Sequence, residues 1–321
     1  MNKEDLRIVF FGTPEFAVES LDRLVSENFN IVGVVTATDK PAGRGHKMLQ
    51  SAVKQYAISH NLNILQPASL KDPEFVESLR ELKADLFIVI AFRMLPEVVW
   101  TMPPLGTFNL HGSLLPRYRG AAPINWALIN GDSETGVTTF FLKHEIDTGD
   151  IIDRRAITVG ADENFGSVYE RLMHLGADLT VETVKRIIEG SLKTMPQDSE
   201  GLEEPTPAPK IFKETCHIDW SAPAAAIHNL VRGLSPIPGA WTTLSFQGAD
   251  SIVVKIFATS VSETASDSKK PGEISATDGR LFVTCGDSTV IEVKELQPAG
   301  KKRMSAADYL RGAHLENARF E

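Results

Sequence analysis

The chain has 321 residues, with 33 Lys and Arg against 42 Asp and Glu, for a formal charge of −9. At about 100–200 residues per domain, this length asks for two domains. A hydrophobic fraction of 42% and a charged fraction of 23% exclude collagen-like, disordered and disulfide-scaffold classes. The longest apolar run, residues 86–92, is seven residues long, far below the ~20 needed to cross a bilayer, so no membrane partner is expected. The first residues carry acids and lead straight into a strand-like run, which does not read as a signal peptide. Cys216 and Cys285 have no spacing suited to zinc or a redox pair. A cytoplasmic chain with both thiols in the core is the expectation. Acidity is uneven: residues 1–208 carry 20 basic and 29 acidic side chains, and residues 209–321 carry 13 of each. The acidic total argues against indiscriminate nucleic-acid binding, since phosphate contacts dominate such affinity, yet it leaves room for a local basic patch.

In chain order, residues 7–11 form an apolar strand ending in Gly12-Thr13-Pro14. Thr13 fits a helix N-cap with Pro14 at the first helical position. Ala17, Leu21, Leu24 and Val25 then fall on one helical stripe. Residues 31–35 are a buried strand, 51–60 a helix, 63–65 a brief strand, 72–82 a helix and 85–91 a strand buried on both faces. Strands alternating with helices of this length predict a Rossmann-like, doubly wound parallel sheet in an α/β protein. Strands at 137–141 and 151–157 and a helix over 167–189 complete a first domain, residues 1–193. Residues 194–209 hold Pro196, Pro205, Pro207 and Pro209 without apolar periodicity, and read as a linker. A second, smaller domain, residues 210–321, opens with a helix over 222–234. Short strands follow at 241–246, 252–259, 281–285 and 290–296, the pattern of a small barrel or sandwich. Residues 262–271 read as a mobile hairpin loop.

The turn after the first strand is not G-x-G-x-x-G and no P-loop occurs, so a nucleotide on the first helix is not supported. Eight histidines without metal-ligand spacing predict no metal site. Three segments are chemically unusual. In Phe108-Asn109-Leu110-His111, polar and apolar residues alternate, so an extended strand projects Asn109 and His111 from one face. An amide beside an imidazole suits acyl chemistry, one group meeting an oxyanion and the other a proton, although a strand end with satisfied polar groups has the same spacing. In residues 144–150, Asp147 and Asp150 each qualify as the carboxylate that orients His111, and each equally as a turn residue. In residues 38–47, Lys40, Arg44 and Lys47 face one acid, Asp39, across two glycines, as a phosphate-reaching loop or a solvated one.

Together and in this order, these segments resemble the 10-formyltetrahydrofolate-dependent formyltransferases, and among them the methionyl-tRNA formyltransferase family. The similarity runs from Arg7-Ile-Val-Phe-Phe-Gly-Thr-Pro-Glu-Phe-Ala17 through Lys40-Pro-Ala-Gly-Arg-Gly45 and His111-Gly-Ser-Leu-Leu-Pro-Arg-Tyr-Arg-Gly-Ala-Ala-Pro123. It ends at Leu296-Gln-Pro-Ala-Gly-Lys-Lys-Arg-Met-Ser305. The Asn-x-His and Asp set belongs to the wider family, whereas the loop at Lys40 and the segment at Leu296 are more specific to the tRNA enzymes. The resemblance implies catalytic roles for Asn109, His111 and Asp147. It implies 10-formyltetrahydrofolate as co-substrate, with folate contact at Ser113, Leu114, Leu115 and Pro116. It further implies initiator Met-tRNA as acceptor, met by Lys40, Arg44 and Lys47, and a C-terminal OB-like β-barrel that binds tRNA. A monomer is expected. Two positions depart from the pattern: Arg93 stands where glycine is usual, and Lys40 replaces an arginine, keeping the charge without the bidentate fork.

Overall fold

The structure is a computed structural model. It describes residues 2–42, 47–199, 201–246, 249–265, 270–313, 315 and 318–321. The chain divides into two compact units: Met1–Pro123, Thr135–Ile157 and Tyr169–Ala208 make the first, and Ile124–Glu134, Thr158–Val168 and Pro209–Glu321 the second. Among the described residues, no helix is long and apolar enough to cross a membrane.

The strands of the first unit are β1 (Arg7–Gly12), β2 (Asn30–Val35), β3 (Lys40–Ala42), β4 (Lys47–Leu49), β5 (Ile64–Leu65), β6 (Leu86–Ile90), β7 (Thr107–His111), β8 (Arg119–Gly120), β9 (Glu134–Phe141), β10 (Ile151–Thr158) and β11 (Pro207–Ala208). The main sheet runs β10-β9-β7-β6-β1-β2-β5. Pairing is parallel from β5 through β2, β1 and β6 to β7, and turns antiparallel between β7 and β9. Ile8 to Phe11 and all of β6 are buried, which is why both strands are uninterrupted apolar runs rather than alternating ones.

The helix Glu15–Ser26 buries Ala17, Leu21 and Leu24 as its stripe requires, with Val25 at the rim. Its N-cap is Pro14, not Thr13. The first turn closes from Ala17 N–H to the Pro14 carbonyl at 3.0 Å, and Phe16 N–H, the donor a Thr13 cap would bind, goes to the Tyr169 hydroxyl at 3.0 Å. Helices Ala52–Ser59 and Pro73–Glu81 do carry side-chain caps, Ser51 accepting from Lys54 N–H and Asp72 from Glu74 N–H. Each such cap contributes about 1 kcal/mol.

The helix Phe165–Glu189 lies against β7 and β9. A Cβ on Gly176 would approach Leu110 Cδ2 to 2.7 Å, so glycine lets the helix sit close over β7. Thr183 and Thr139 hydroxyls bond across the same contact at 2.9 Å. This fixes the strand that carries Asn109 and His111.

Residues 194–199 and 201–209, which lack periodicity, are nonetheless strapped to the first unit up to Ala208. Met195 and Ile151 exchange two backbone bonds of 2.8 Å, and β11 pairs in parallel with β8. Main-chain bonds and a few polar side chains hold this stretch, and those leave no apolar pattern in a sequence.

In the second unit β12 (Ala240–Phe246), β13 (Ala249–Ala265), β14 (Ile274–Thr277), β15 (Arg280–Thr284), β16 (Thr289–Pro298), β17 (Met304–Ser305) and β18 (Arg319–Phe320) form one antiparallel sheet, ordered β14-β15-β16-β13-β12-β18 with β17 on β16. β13 pairs with both β12 and β16, and its register shifts bend it so that the sheet curls. A bridge between Glu273 and Arg319 and a 2.9 Å bond from Phe320 N–H to the Gly272 carbonyl tie the two ends together. The product is an OB-like half-barrel around Leu244, Ile256, Val283, Ile291, Val293 and Phe320, with Trp220 stacked on Phe320 at 5.4 Å. Residues 262–265 continue β13 to an Ala265–Thr289 pair rather than looping, and 266–269 lie outside the described residues.

Cys216 and Cys285 are free and buried in this half-barrel. Burial pushes the Cys285 thiol up to about 12, with the Asp287 charge adding to it, and raises Cys216 too. Because the thiolate is the nucleophile, native protein is expected to resist iodoacetamide near pH 8, while denatured protein takes two labels by mass spectrometry. Rapid labelling of native Cys285 would place it outside the core.

Candidate active site

β7 ends in the alternation Phe108-Asn109-Leu110-His111, with Phe108 and Leu110 buried, His111 7% exposed and Asn109 half-buried. Asn109 and His111 share a strand face. Among the described residues nothing hydrogen-bonds the Asn109 carboxamide, so its N–H donors are available. His111 Nε2 lies 2.8 Å from the Tyr118 carbonyl. A carbonyl only accepts, so Nε2 carries the proton and Nδ1 is the nitrogen left to gain or lose one. The Phe140 ring lies nearly perpendicular to the imidazole, with ring centroids 6.5 Å apart.

Nδ1 faces Asp147 Oδ2 at 3.8 Å, an ion-pair separation once the imidazole is protonated. The same Oδ2 accepts the Gly120 N–H at 2.9 Å. Asp147 has φ 55°, a left-handed conformation that turns its side chain back toward β7. Gly120 has φ 127°, and a Cβ there would meet the Ala208 carbonyl oxygen at 2.6 Å, so only glycine brings this N–H to Asp147. Asp150 points elsewhere: its carboxylate pairs with Lys143 Nζ at 2.7 Å. Of the two acids equally eligible by sequence, the fold brings Asp147 to His111 and ties Asp150 to a lysine.

Residues 113–116 are mostly buried. Ser113 is fully enclosed and donates to the Arg117 carbonyl at 2.6 Å, and Leu115 is fully enclosed with Phe140 and Ile151. Thr138 Oγ1 locks the turn, accepting from Leu115 N–H and donating to the Ser113 carbonyl. Pro116 is buried as well, and Leu114 alone of the four keeps exposed side-chain surface. Arg93 donates to the Ala68 and Pro67 carbonyls, which anchors its loop in place of a glycine turn. Lys40 is exposed on β3, and β3 pairs antiparallel with β4 from Lys40–Leu49 to Ala42–Lys47. Asp39, the single acid of residues 38–47, accepts from Gln66 and pairs with Lys54, and those bonds, Gln66's foremost, hold its carboxyl below the usual range. Lys47 is described by its backbone, and Arg44 lies outside the described residues.

A family model described as formyl transferase matches residues 6–184, and one described as formyl transferase, C-terminal domain, matches residues 210–314. The chain belongs to the formyl transferase family. Methionyl-tRNA formyltransferase of Bacteroides fragilis is 55% identical over 99% of this chain and 98% of its own length. The protein of that name from Phocaeicola vulgatus is 56% identical over 97% of both. Among solved structures, the N-formyltransferase from Helicobacter canadensis, crystallised with folinic acid and dTDP-3-aminofucose, superposes with a TM-score of 0.65 at 19% identity, over 90% of this chain and 98% of that one. A sugar 3N-formyl transferase gives 0.64 at 19% identity, over 92% and 99%. At that identity the two structures show the formyl transferase fold alone.

Three residues of this site escape a reading by residue type: Tyr118, whose carbonyl fixes the imidazole; Gly120, whose N–H holds Asp147; and Gln197, buried between Arg119 and the Asp147 carbonyl. Gly120 left a signal inside the Arg-Tyr-Arg-Gly run. Tyr118 and Gln197 left none, because a carbonyl has no residue type and Gln197 sits in a stretch without periodicity. Among the described residues, no three His, Cys, Asp or Glu gather as metal ligands.

Proposed function

We propose that this chain transfers the formyl group of 10-formyltetrahydrofolate to the α-amine of the methionine esterified to initiator tRNA. The observation that carries this reading is 55% identity to a methionyl-tRNA formyltransferase over 99% of the chain, through both family domains. The folate supplies an activated formyl carbon, and the chain's own groups manage charge and protons around it. Asn109, with its amide uncommitted, donates to the oxyanion that develops as the amine attacks. Asp147 Oδ1, which no described residue engages, takes up the ammonium proton together with His111 Nδ1, and the pair returns it to the departing nitrogen. Holding Nε2–H on the Tyr118 carbonyl keeps the imidazole in one tautomer throughout. No covalent enzyme intermediate is required.

In this reading residues 113–116 form a wall of the folate site, with Leu114 as the contacting side chain and Ser113, Leu115 and Pro116 setting its backbone. Residues 1–193 do the chemistry, 194–209 connect, and 210–321 grip tRNA together with Lys40, Arg44 and Lys47. The protein works as a cytoplasmic monomer. Purified protein given 10-formyltetrahydrofolate and, separately, Met-tRNA, an amino-sugar nucleotide or glycinamide ribonucleotide is expected to formylate Met-tRNA with by far the highest kcat/KM. A preference for either small amine would replace the acceptor, and no transfer to any of them would leave an RNA-binding module.

The basic loop gives a narrower prediction. Arg44 stands in the sequence between Gly43 and Gly45. A segment this rich in glycine seldom supports a core, so Arg44→Ala is expected to leave stability within ~0.5 kcal/mol. Binding of Met-tRNA is expected to weaken, with its salt slope reduced by about one, as for one lost phosphate contact. An unchanged kcat/KM on tRNA across a salt series would remove the loop from the recognition surface.

A further inference from the structure

Gln197 lies in the connecting stretch, yet it is only 5% exposed. Its Nε2 donates to the Asp147 and Gly149 carbonyls, both at 2.9 Å. Its Oε1 accepts from Arg119 Nε and Nη2 at 3.1 and 2.7 Å. Carbonyls only accept and a guanidinium only donates, so these partners fix which way the amide points. All four of its strongest hydrogen-bonding positions are used, two of them charge-assisted.

The two ends of this clamp are the two sides of one contact. Asp147 Oδ2 accepts from Gly120 N–H, and Gly120 directly follows Arg119. Gln197 therefore grips the main chain of Asp147 and the residue before Asp147's own hydrogen-bond donor. Asp147 needs such a grip, because a left-handed aspartate persists only where its surroundings hold it. Gly149 adds to this: a Cβ there would lie 1.5 Å from the Phe141 carbonyl oxygen, so the loop is pressed flat against β9 with no slack. The stretch bearing Gln197 is anchored on both sides. Met195 bonds Ile151, and Thr206 bonds Tyr118 through its hydroxyl and Arg119 through its carbonyl.

We propose that Gln197 is a positioning residue, tying the Asp147 loop to β8 so that the carboxylate stays against His111. The proposal rests on the role given to Asp147 above. It makes the stretch between the two family domains part of the catalytic architecture rather than a tether.

The test uses the full-length protein with Gln197→Ala and Gln197→Glu, each alone and combined with Asp147→Asn, assayed with 10-formyltetrahydrofolate and Met-tRNA. Gln197→Ala is expected to lower kcat about 10–10²-fold, the scale of an ångström-sized misplacement, with both KM values within about 3-fold. Gln197→Glu should behave like the alanine variant, since a carboxylate accepts from Arg119 but cannot donate to two carbonyls. In the Asp147→Asn background, Gln197→Ala should cost less than about 2-fold, because its effect passes through Asp147. Full loss in both backgrounds, or a change confined to KM, would overturn the positioning role while leaving Asp147 catalytic. Wild-type turnover in Asp147→Asn would instead remove the site reading, and the clamp with it. If neither Gln197 variant folds, by circular dichroism and thermal melting, Gln197 is a residue of the fold and the proposal fails.

Discussion

Asn109→Ala is expected to lower kcat about 10²–10³-fold while leaving substrate KM values within a few-fold, the pattern for an interaction made only in the transition state. The carboxamide shares a face with His111 at the end of β7 and has no partner among the described residues. The half-buried amide keeps its N–H donors for a ligand, and hydrogen bonds to a developing oxyanion are charge-assisted and roughly twice as strong as neutral ones. Removing the side chain at a half-buried strand end leaves Phe108 and Leu110 in the core, so the melting temperature should move little. Steady-state kinetics on the purified variant, beside a thermal melt, separate the two effects. Wild-type turnover in the folded variant would return Asn109 to a structural role.

The central strands were legible because burial on both faces writes itself into a sequence as Ile8 to Phe11 and Leu86 to Ile90, apolar without interruption. The Asn109 and His111 pairing was legible for the same kind of reason, since period two forces both onto one face. Asp147 and Asp150 were not separable by composition. What separates them is a single left-handed residue, which turns one carboxylate to Gly120 and leaves the other to Lys143. Helix entry falls one residue after the Thr13 cap that the sequence suggests, because the long-range Tyr169 hydroxyl takes the Phe16 N–H that a local cap would bind. The stretch around Gln197 shows the limit most clearly. Its order comes from main-chain bonds to Ile151, Arg119 and Gly120 and from the single polar side chains of Thr206 and Gln197, none of which makes a periodic pattern. Proline content and missing periodicity describe its lack of a core face, not its freedom.

His111→Ala and Asp147→Ala are each expected to lower kcat at least ~10²-fold, within the range for positioned acid–base groups. The informative quantity is the double variant. Nδ1 and Oδ2 are 3.8 Å apart, both side chains are largely enclosed, and the other imidazole nitrogen is committed to the Tyr118 carbonyl. The two groups therefore share one proton-handling path, and removing either breaks it. Residues that act as a unit are strongly non-additive, so the double variant should be little worse than the worse single one. Asp150→Ala is the contrasting variant, since its carboxylate is engaged by Lys143, and its loss should stay within a few-fold. Losses that multiply in the double variant would give His111 and Asp147 independent roles. A deeper loss in Asp150→Ala than in Asp147→Ala would transfer the carboxylate role to Asp150, and with it would fall the need for Asp147's left-handed turn and for the Gly120 donor that holds it.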